Sequence, residues 1–276
     1  MNLKNELENK LTKKEFSELK TSFDILGSKE KAVAIIEIPD KLKKKEKMIA
    51  KILMKVHKNV KSVLKKESPR TGVYRLRKYK LLVGDKDVEI IHKENGCRFI
   101  LNPKKTYFSV REGNERLRIA KKIKKREKIL VMFAGIAPYS VVIAKKKNVD
   151  KIYSVEINPK AHEYARKNVI LNKVGDKIIP ILGDVRIVCK LLGENFDRII
   201  MPLPEKAYEY LDVAFQCSKR GTIIHVYGIA KDFKELEGKI EKKAKETKTK
   251  YKIKERRKVL PYGPGIYKVC LEIEIQ

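Results

Sequence analysis

Residues 129–185 read ILVMFAGIAPYSVVIAKKKNVDKIYSVEINPKAHEYARKNVILNKVGDKIIPILGDV. Three short apolar runs stand out: Ile129–Phe133, Ile152–Val155 and Ile178–Leu182. Segments with helical spacing, Tyr139–Lys147 and Lys160–Leu171, separate them. The alternation continues downstream with Arg198–Met201, Lys206–Cys217, Thr222–Tyr227 and Asp232–Lys248. Strands alternating with helices predict an α/β fold with a parallel, doubly wound sheet. The ending differs. Tyr251–Val259 and Tyr267–Ile275 flank Pro261-Tyr262-Gly263-Pro264-Gly265, which predicts a C-terminal hairpin adding antiparallel strands to one edge of the sheet.

Upstream the pattern is another one. Residues 3–20 place Leu3, Leu7, Leu11, Phe16 and Leu19 at helical spacing. Phe23–Leu26 and Ala32–Ile38 read as strands around Gly27-Ser28, with Pro39 ending the second. Lys41–Lys66 reads as one long basic helix stopped before Pro69. Tyr74–Val83, Val88–His92 and Cys97–Leu101 alternate as strands do, with Asn95-Gly96 as a hairpin turn. This predicts a small α+β unit with antiparallel strands. The basic stretch 115–128 reads as a helix or linker, so the expected domains are 1–122 and 123–276.

The chain of 276 residues carries 66 Lys plus Arg against 35 Asp plus Glu, a formal charge of +31. Such a field attracts polyanions, with nucleic acid first and an anionic membrane surface second. Thermophile bias would raise both signs of charge and does not explain the cationic excess. No apolar run is long enough to span a membrane, and the charged residues 1–20 do not read as a secretory signal. The four cysteines are scattered without a CxxC pair, so neither a disulfide framework nor a metal site is expected. A cytoplasmic protein is the expectation.

Four strand ends carry candidate chemistry. Val131-Met132-Phe133-Ala134-Gly135-Ile136-Ala137-Pro138 runs from a buried strand through small residues into a helix start suited to Pro138. A backbone so bare admits a ligand closely, but the single glycine argues against a dinucleotide fingerprint. Glu156 ends the next strand, where a carboxylate can accept from both ribose hydroxyls of an adenosine cofactor. A solvent-facing acid before a helix is the bland alternative. Asp184 ends the third strand and suits either an adenine amino contact or a helix N-cap. Met201-Pro202-Leu203-Pro204-Glu205 makes a stiff loop after the fourth strand, at the edge where doubly wound folds bind ligands.

The order MFAGIAP, SVEINP, NVILNK, PILGDVR and RIIMPLPE resembles the S-adenosylmethionine-dependent tRNA (guanine37-N1)-methyltransferases of archaea. TGVYRLRKYKLLVG, IHKENGCRF and TYFSVREGNERLRIA resemble that family's middle domain, and the likeness covers roughly residues 15–276. It implies a class I (Rossmann-like) methyltransferase fold with a seven-stranded, mostly parallel sheet. The implied activity is methyl transfer from S-adenosylmethionine to N1 of guanosine 37 in the tRNA anticodon stem-loop, by a monomer with no membrane partner. The likeness places Tyr107, Phe133, Gly135, Glu156, Ile157, Asp184 and Val185 around the cofactor. Pro202 and Pro204 border the methyl donor and the base. Glu115 is the implied general base for the N1 proton, and Arg75 the donor to guanine O6. Arg116 and Arg111 hold phosphate or orient Glu115. An ordinary helix ion pair is the alternative for Glu115 and Arg116.

Departures from the pattern carry their own expectations. Val131 replaces an acid, Ala137 a glycine, and Pro202 the asparagine of an Asn-Leu-Pro motif. Some relatives altered at this loop also methylate a carbon of the tricyclic wyosine precursor, 4-demethylwyosine, and Pro202 is expected to widen the pocket for both substrates. Many members carry an extra elbow-binding domain ahead of this region. Here Lys41–Lys66 and Lys121–Lys128 are expected to supply phosphate contacts instead. Competing readings are an aminocarboxypropyltransferase of the wyosine pathway, another RNA, DNA or protein methyltransferase, an RNA-binding relative without activity, and an NAD-dependent oxidoreductase.

Overall fold

The computed structural model describes residues 3–276, which divide into two compact units at Val110/Arg111. The boundary expected at 122/123 falls one helix later, at the end of the helix that opens the second unit.

In the first unit, α1 (Leu3–Glu8) and α2 (Lys13–Glu18) replace a single run. Thr12 separates them with a capping box: its hydroxyl accepts from Glu15 N while Glu15 accepts from Thr12 N. β1 (Phe23–Gly27) and β2 (Ala32–Ile36) pair antiparallel. α3 (Glu46–Val56) follows a short 3-10 turn, and β3 (Val60–Lys66) pairs parallel to β2. β4 (Tyr79–Gly84) pairs antiparallel to β3. The single basic helix expected over Lys41–Lys66 is therefore a turn, a helix and a strand. Val60, Val63 and Leu64 sit at i, i+3 and i+4, which mimics helical spacing, but the β-branched valines suit the centre of a sheet. The all-antiparallel expectation is corrected with it, since α3 is a crossover between parallel strands. β5 (Ile90–Glu94) and β6 (Cys97–Leu101) form the hairpin predicted at Asn95-Gly96, both in left-handed backbone. Of the strand expected over Tyr74–Val83, only the part from Tyr79 on is strand, and residues 70–78 form a turn closed by a bridge between Thr71 and Leu76.

The second unit opens with α4 (Gly113–Lys122). Then come β7 (Lys128–Met132), α5 (Pro138–Lys146), β8 (Lys151–Glu156), α6 (Pro159–Leu171) and β9 (Ile178–Leu182). α7 (Val185–Leu192), β10 (Phe196–Met201), α8 (Leu211–Gln216) and β11 (Ser218–Ala230) follow, then α9 (Phe233–Glu246), β12 (Tyr251–Gly263) and β13 (Ile266–Ile275). The seven strands lie in the order β12-β13-β11-β10-β7-β8-β9. β11, β10, β7, β8 and β9 are parallel, and β13 is antiparallel to both β11 and β12. This is the predicted sheet with its terminal hairpin. β7 and β10 are neighbours from which the chain winds outward in opposite directions, the switch point where such sheets bind ligands. Val131 and Met132 of β7, Ile199–Met201 of β10 and Val226 of β11 are fully buried, which anchors the loops above them.

Candidate active site

The loop after β7 departs from ordinary backbone at every second residue. Phe133, Gly135 and Ala137 all take left-handed φ, near 57°, 58° and 63°. Strain of this kind persists only where the surroundings impose it. Here Ala134 N donates to Val155 O at 2.9 Å, and the buried Asn168 amide donates to Ile136 O at 3.1 Å. Ala137, the N-cap of α5, provides no side-chain acceptor, so the first-turn N–H groups of that helix are not covered by a cap.

Glu156 ties the neighbouring loops together. Its Oε2 accepts from Gly135 N and its Oε1 from Asn158 N, each at 2.7 Å, and its carbonyl accepts from Gly183 N at 2.9 Å. The side chain is nine-tenths buried, and burial pushes its carboxyl above the ordinary carboxylate range against those N–H donors. Ile157 is half-buried beside it. Asp184 caps α7 by accepting from Arg186 N at 2.8 Å, so the N-cap reading holds, and its side chain stays part-exposed. Val185 is buried below. The carboxyl ends of β7, β8 and β9 thus bring Phe133, Gly135, Glu156, Ile157, Asp184 and Val185 to one edge. Phe133 packs edge-on against Tyr210 at 4.8 Å, and Arg186 lies 3.9 Å over the same ring.

The loop after β10 is a tight turn. Leu203 N donates to Met201 O and Ala207 N to Leu203 O, with Pro202 part-exposed and Pro204 buried. Glu115, in the first turn of α4, is only 5% exposed. Its Oε1 accepts from Arg118 Nη2 at 2.7 Å and from the Tyr227 hydroxyl at 2.6 Å, and its Oε2 accepts from Arg118 Nε at 2.8 Å. Val226 pairs with Met201, so Tyr227 lies at the level where β10 turns into the proline loop. Burial and neighbouring Tyr139 raise the Tyr227 phenol well above its usual range, so it is a donor at any working pH.

Sequence reasoning expected Arg116 or Arg111 to orient Glu115. The residues that grip it are Arg118 and Tyr227. Arg116 is 2% exposed, which removes it from solvent-side phosphate contact, whereas Arg111 is exposed. Arg118 had a signal, the i, i+3 spacing from Glu115 on one helix face. Tyr227 had none, being 112 positions away in an apolar strand. In the first unit Arg75 and Tyr107 come together, the guanidinium 5.0 Å from the ring centre. Arg70, which the sequence did not single out, lies over the same ring at 4.1 Å. Arg75 itself holds left-handed backbone in the 70–78 turn.

A seven-stranded sheet in this order, with a strained small-residue loop and an acid at successive strand ends, defines a class I methyltransferase fold. The TRM5/TYW2 methyltransferase domain model matches residues 90–253, and the TYW2 N-terminal domain model matches residues 3–87. The chain belongs to the TRM5/TYW2 methyltransferase family. It is 38% identical over 261 residues to tRNA (guanine(37)-N(1))-methyltransferase Trm5b of Pyrococcus abyssi, covering 93% of this chain and 76% of that one. It is 34% identical over 272 residues to tRNA (guanine(37)-N(1))/4-demethylwyosine(37)-methyltransferase Taw22 of Nanoarchaeum equitans, covering 79% and 87%. The solved complex of aTrm5 and tRNALeu superposes with a TM-score of 0.89 at 34% identity, over all of this chain and 78% of that one.

Proposed function

We propose that this chain methylates N1 of guanosine 37 in tRNA, with S-adenosylmethionine as methyl donor. The observation that carries the reading is the carboxyl edge of the second unit, where an adenosine-type acceptor, Glu156, and a held carboxylate, Glu115, flank the switch-point loops. The residues fit the cofactor by the chemistry of their donors and acceptors. Glu156 supplies an acceptor-only group for ribose hydroxyls, the 133–137 loop brings bare backbone, and the uncapped start of α5 offers N–H groups to a carboxylate. Phe133, Ile157, Asp184, Val185 and Tyr107 complete the proposed set, with Asp184 directed to the adenine amino group.

The bound cofactor supplies an electrophilic methyl group on a sulfonium. Guanine N1 is a poor nucleophile while protonated. Glu115 accepts the N1 proton as the new N1–carbon bond forms and the carbon–sulfur bond breaks. Arg75 donates to guanine O6, where negative charge grows as the proton leaves. Pro202 and Pro204 border the reacting atoms as a stiff wall, which favours one orientation of the base. Arg111 contributes a phosphate contact. The chain is proposed to act as a monomer; a dimer mass in sedimentation velocity contradicts that part.

The test is methyl incorporation from labelled S-adenosylmethionine into an unmodified transcript carrying guanosine 37. Label is expected there and absent from the same transcript with adenosine 37. Equal labelling of both sinks the site assignment. Pro202, in place of an amide, favours a second reading as well. A pocket without that hydrogen-bonding group accepts the 4-demethylwyosine tricycle, the second substrate for which the Nanoarchaeum relative is named. Label in the tricycle of tRNA already carrying it is expected, and Pro202→Asn should reduce that label more than guanosine methylation. No label in the tricycle removes the second reading.

A further inference from the structure

The Glu115 carboxylate is held more tightly than a surface ion pair. Among its roughly four lone-pair sites, Arg118 takes one on each oxygen and Tyr227 takes the second on Oε1. One lone pair, on Oε2, is left. The three donors come from two elements, α4 and β11, and neither can swing freely. Arg118 is itself tied to Glu255 at 3.3 Å, and Glu255 with Glu272 holds Lys122. Tyr227 is fully buried, with Lys268 4.7 Å over its ring and Tyr139 at 6.2 Å.

We propose that Arg118 and Tyr227 are positioning residues that fix the Glu115 carboxylate, leaving a single Oε2 lone pair to take the substrate proton. The inference rests on the reading of Glu115 as the base. Both donors fix the two carboxylate oxygens in place, so the remaining Oε2 lone pair keeps one direction towards the substrate proton. The other titratable or charged groups around it are Arg116 and Glu112 beside α4, Tyr139 on α5, and Lys268 and Cys270 on β13. Tyr139 and Cys270 are neutral there. Burial raises the Tyr139 phenol well above its usual range and pushes the Cys270 thiol up to about 12. Lys268 pairs with Glu112 at 2.8 Å, so that pair is close to neutral towards Glu115.

The experiment is single-turnover methyl transfer to a guanosine 37 transcript with saturating tRNA and cofactor, alongside tRNA and S-adenosylhomocysteine affinities. The full-length chain carries Tyr227→Phe, Arg118→Lys, Arg118→Gln or Glu115→Gln in turn. Tyr227→Phe keeps the buried ring and removes one donor to a charged group. Its single-turnover rate should fall about tenfold with both affinities unchanged. Arg118→Gln is expected to lower the rate further. Arg118→Lys keeps the charge but loses the two-pronged grip, so it falls between, and it also serves if Arg118→Gln does not fold. A merely structural role lowers melting temperature and leaves the rate of the folded enzyme in place. If Glu115→Gln is inactive while Tyr227→Phe and the folded Arg118 variant keep the wild-type rate, the positioning role is overturned and the base assignment stands. If Glu115→Gln keeps full activity, the base assignment falls and the positioning role falls with it.

Discussion

At the scale of single residues, Glu156 shows how a fold fixes chemistry. The loop after β7 cannot relax because its acid partner binds Gly135 N, and that same acid lies at the ligand edge. Burial keeps its carboxyl above the ordinary value of 4.5. The folded protein therefore binds this proton more tightly than the unfolded chain. Stability from this group is present below pH 4.5 and is lost as pH rises through the folded value. On the proposed ribose contact, cofactor affinity runs the other way, since hydroxyls donate to the ionised form. Calorimetry with S-adenosylhomocysteine should show tighter binding as pH rises through that window. Glu156→Ala, which also leaves two backbone N–H groups without their acceptor, should weaken binding at least about tenfold at neutral pH. Unchanged affinity would remove Glu156 from the site. This residue was legible in the sequence because strand, small-residue loop and strand-end acid lie within one βαβ span. The grip on Glu115 was not, because its hydroxyl partner sits on a distant strand whose sequence reports only burial.

At the scale of elements, the buried charges of the second unit join strands that sequence reading treats separately. Arg198 of β10 binds Glu127 at 2.7 and 3.0 Å and His225 of β11 at 2.8 Å. Burial, with Arg198, Arg118 and Lys122 nearby, holds the imidazole well below 6.5, so it is neutral and its Nε2 accepts from Arg198. The unfolded chain then binds more protons as pH falls below 6.5, and stability drops there. Urea midpoints should fall on acidification below that value, and His225→Gln should flatten the slope. A slope unchanged in the variant would assign it elsewhere. In the first unit, Gly84 has φ near 98°, and a Cβ there would stand 2.0 Å from Lys61 O. Gly84→Ala should cost at least about 2 kcal/mol by urea denaturation. The alternating elements of the second unit were legible because buried parallel strands are short apolar runs. The β2–β3 crossover was not, because Val60, Val63 and Leu64 at i, i+3 and i+4 satisfy helix and strand alike. The short α7 was missed for a related reason: eight residues starting at a strand-end acid give little periodicity to read.

At the scale of the whole molecule, the charge of +31 survives local pairing. Exposed lysines remain along the 3-10 turn and α3 at Lys43, Lys44, Lys47 and Lys51. Phosphate neutralisation releases counterions, so tRNA affinity should fall at least about tenfold between 50 and 200 mM salt. Filter binding that shows no fall would contradict a backbone-dominated contact. Among the described residues no helix is long and apolar enough to cross a membrane. The charge alone said only that a polyanion is bound. In the proposed reading, the strand-end acids, Glu115 and the proline loop turn binding into a reaction. The most direct test of that claim is nucleoside mass spectrometry of a guanosine 37 transcript after reaction with the purified chain and deuterated-methyl S-adenosylmethionine. The account predicts labelled 1-methylguanosine at position 37. Label on any other base or ring position of unmodified tRNA, or none, would contradict it.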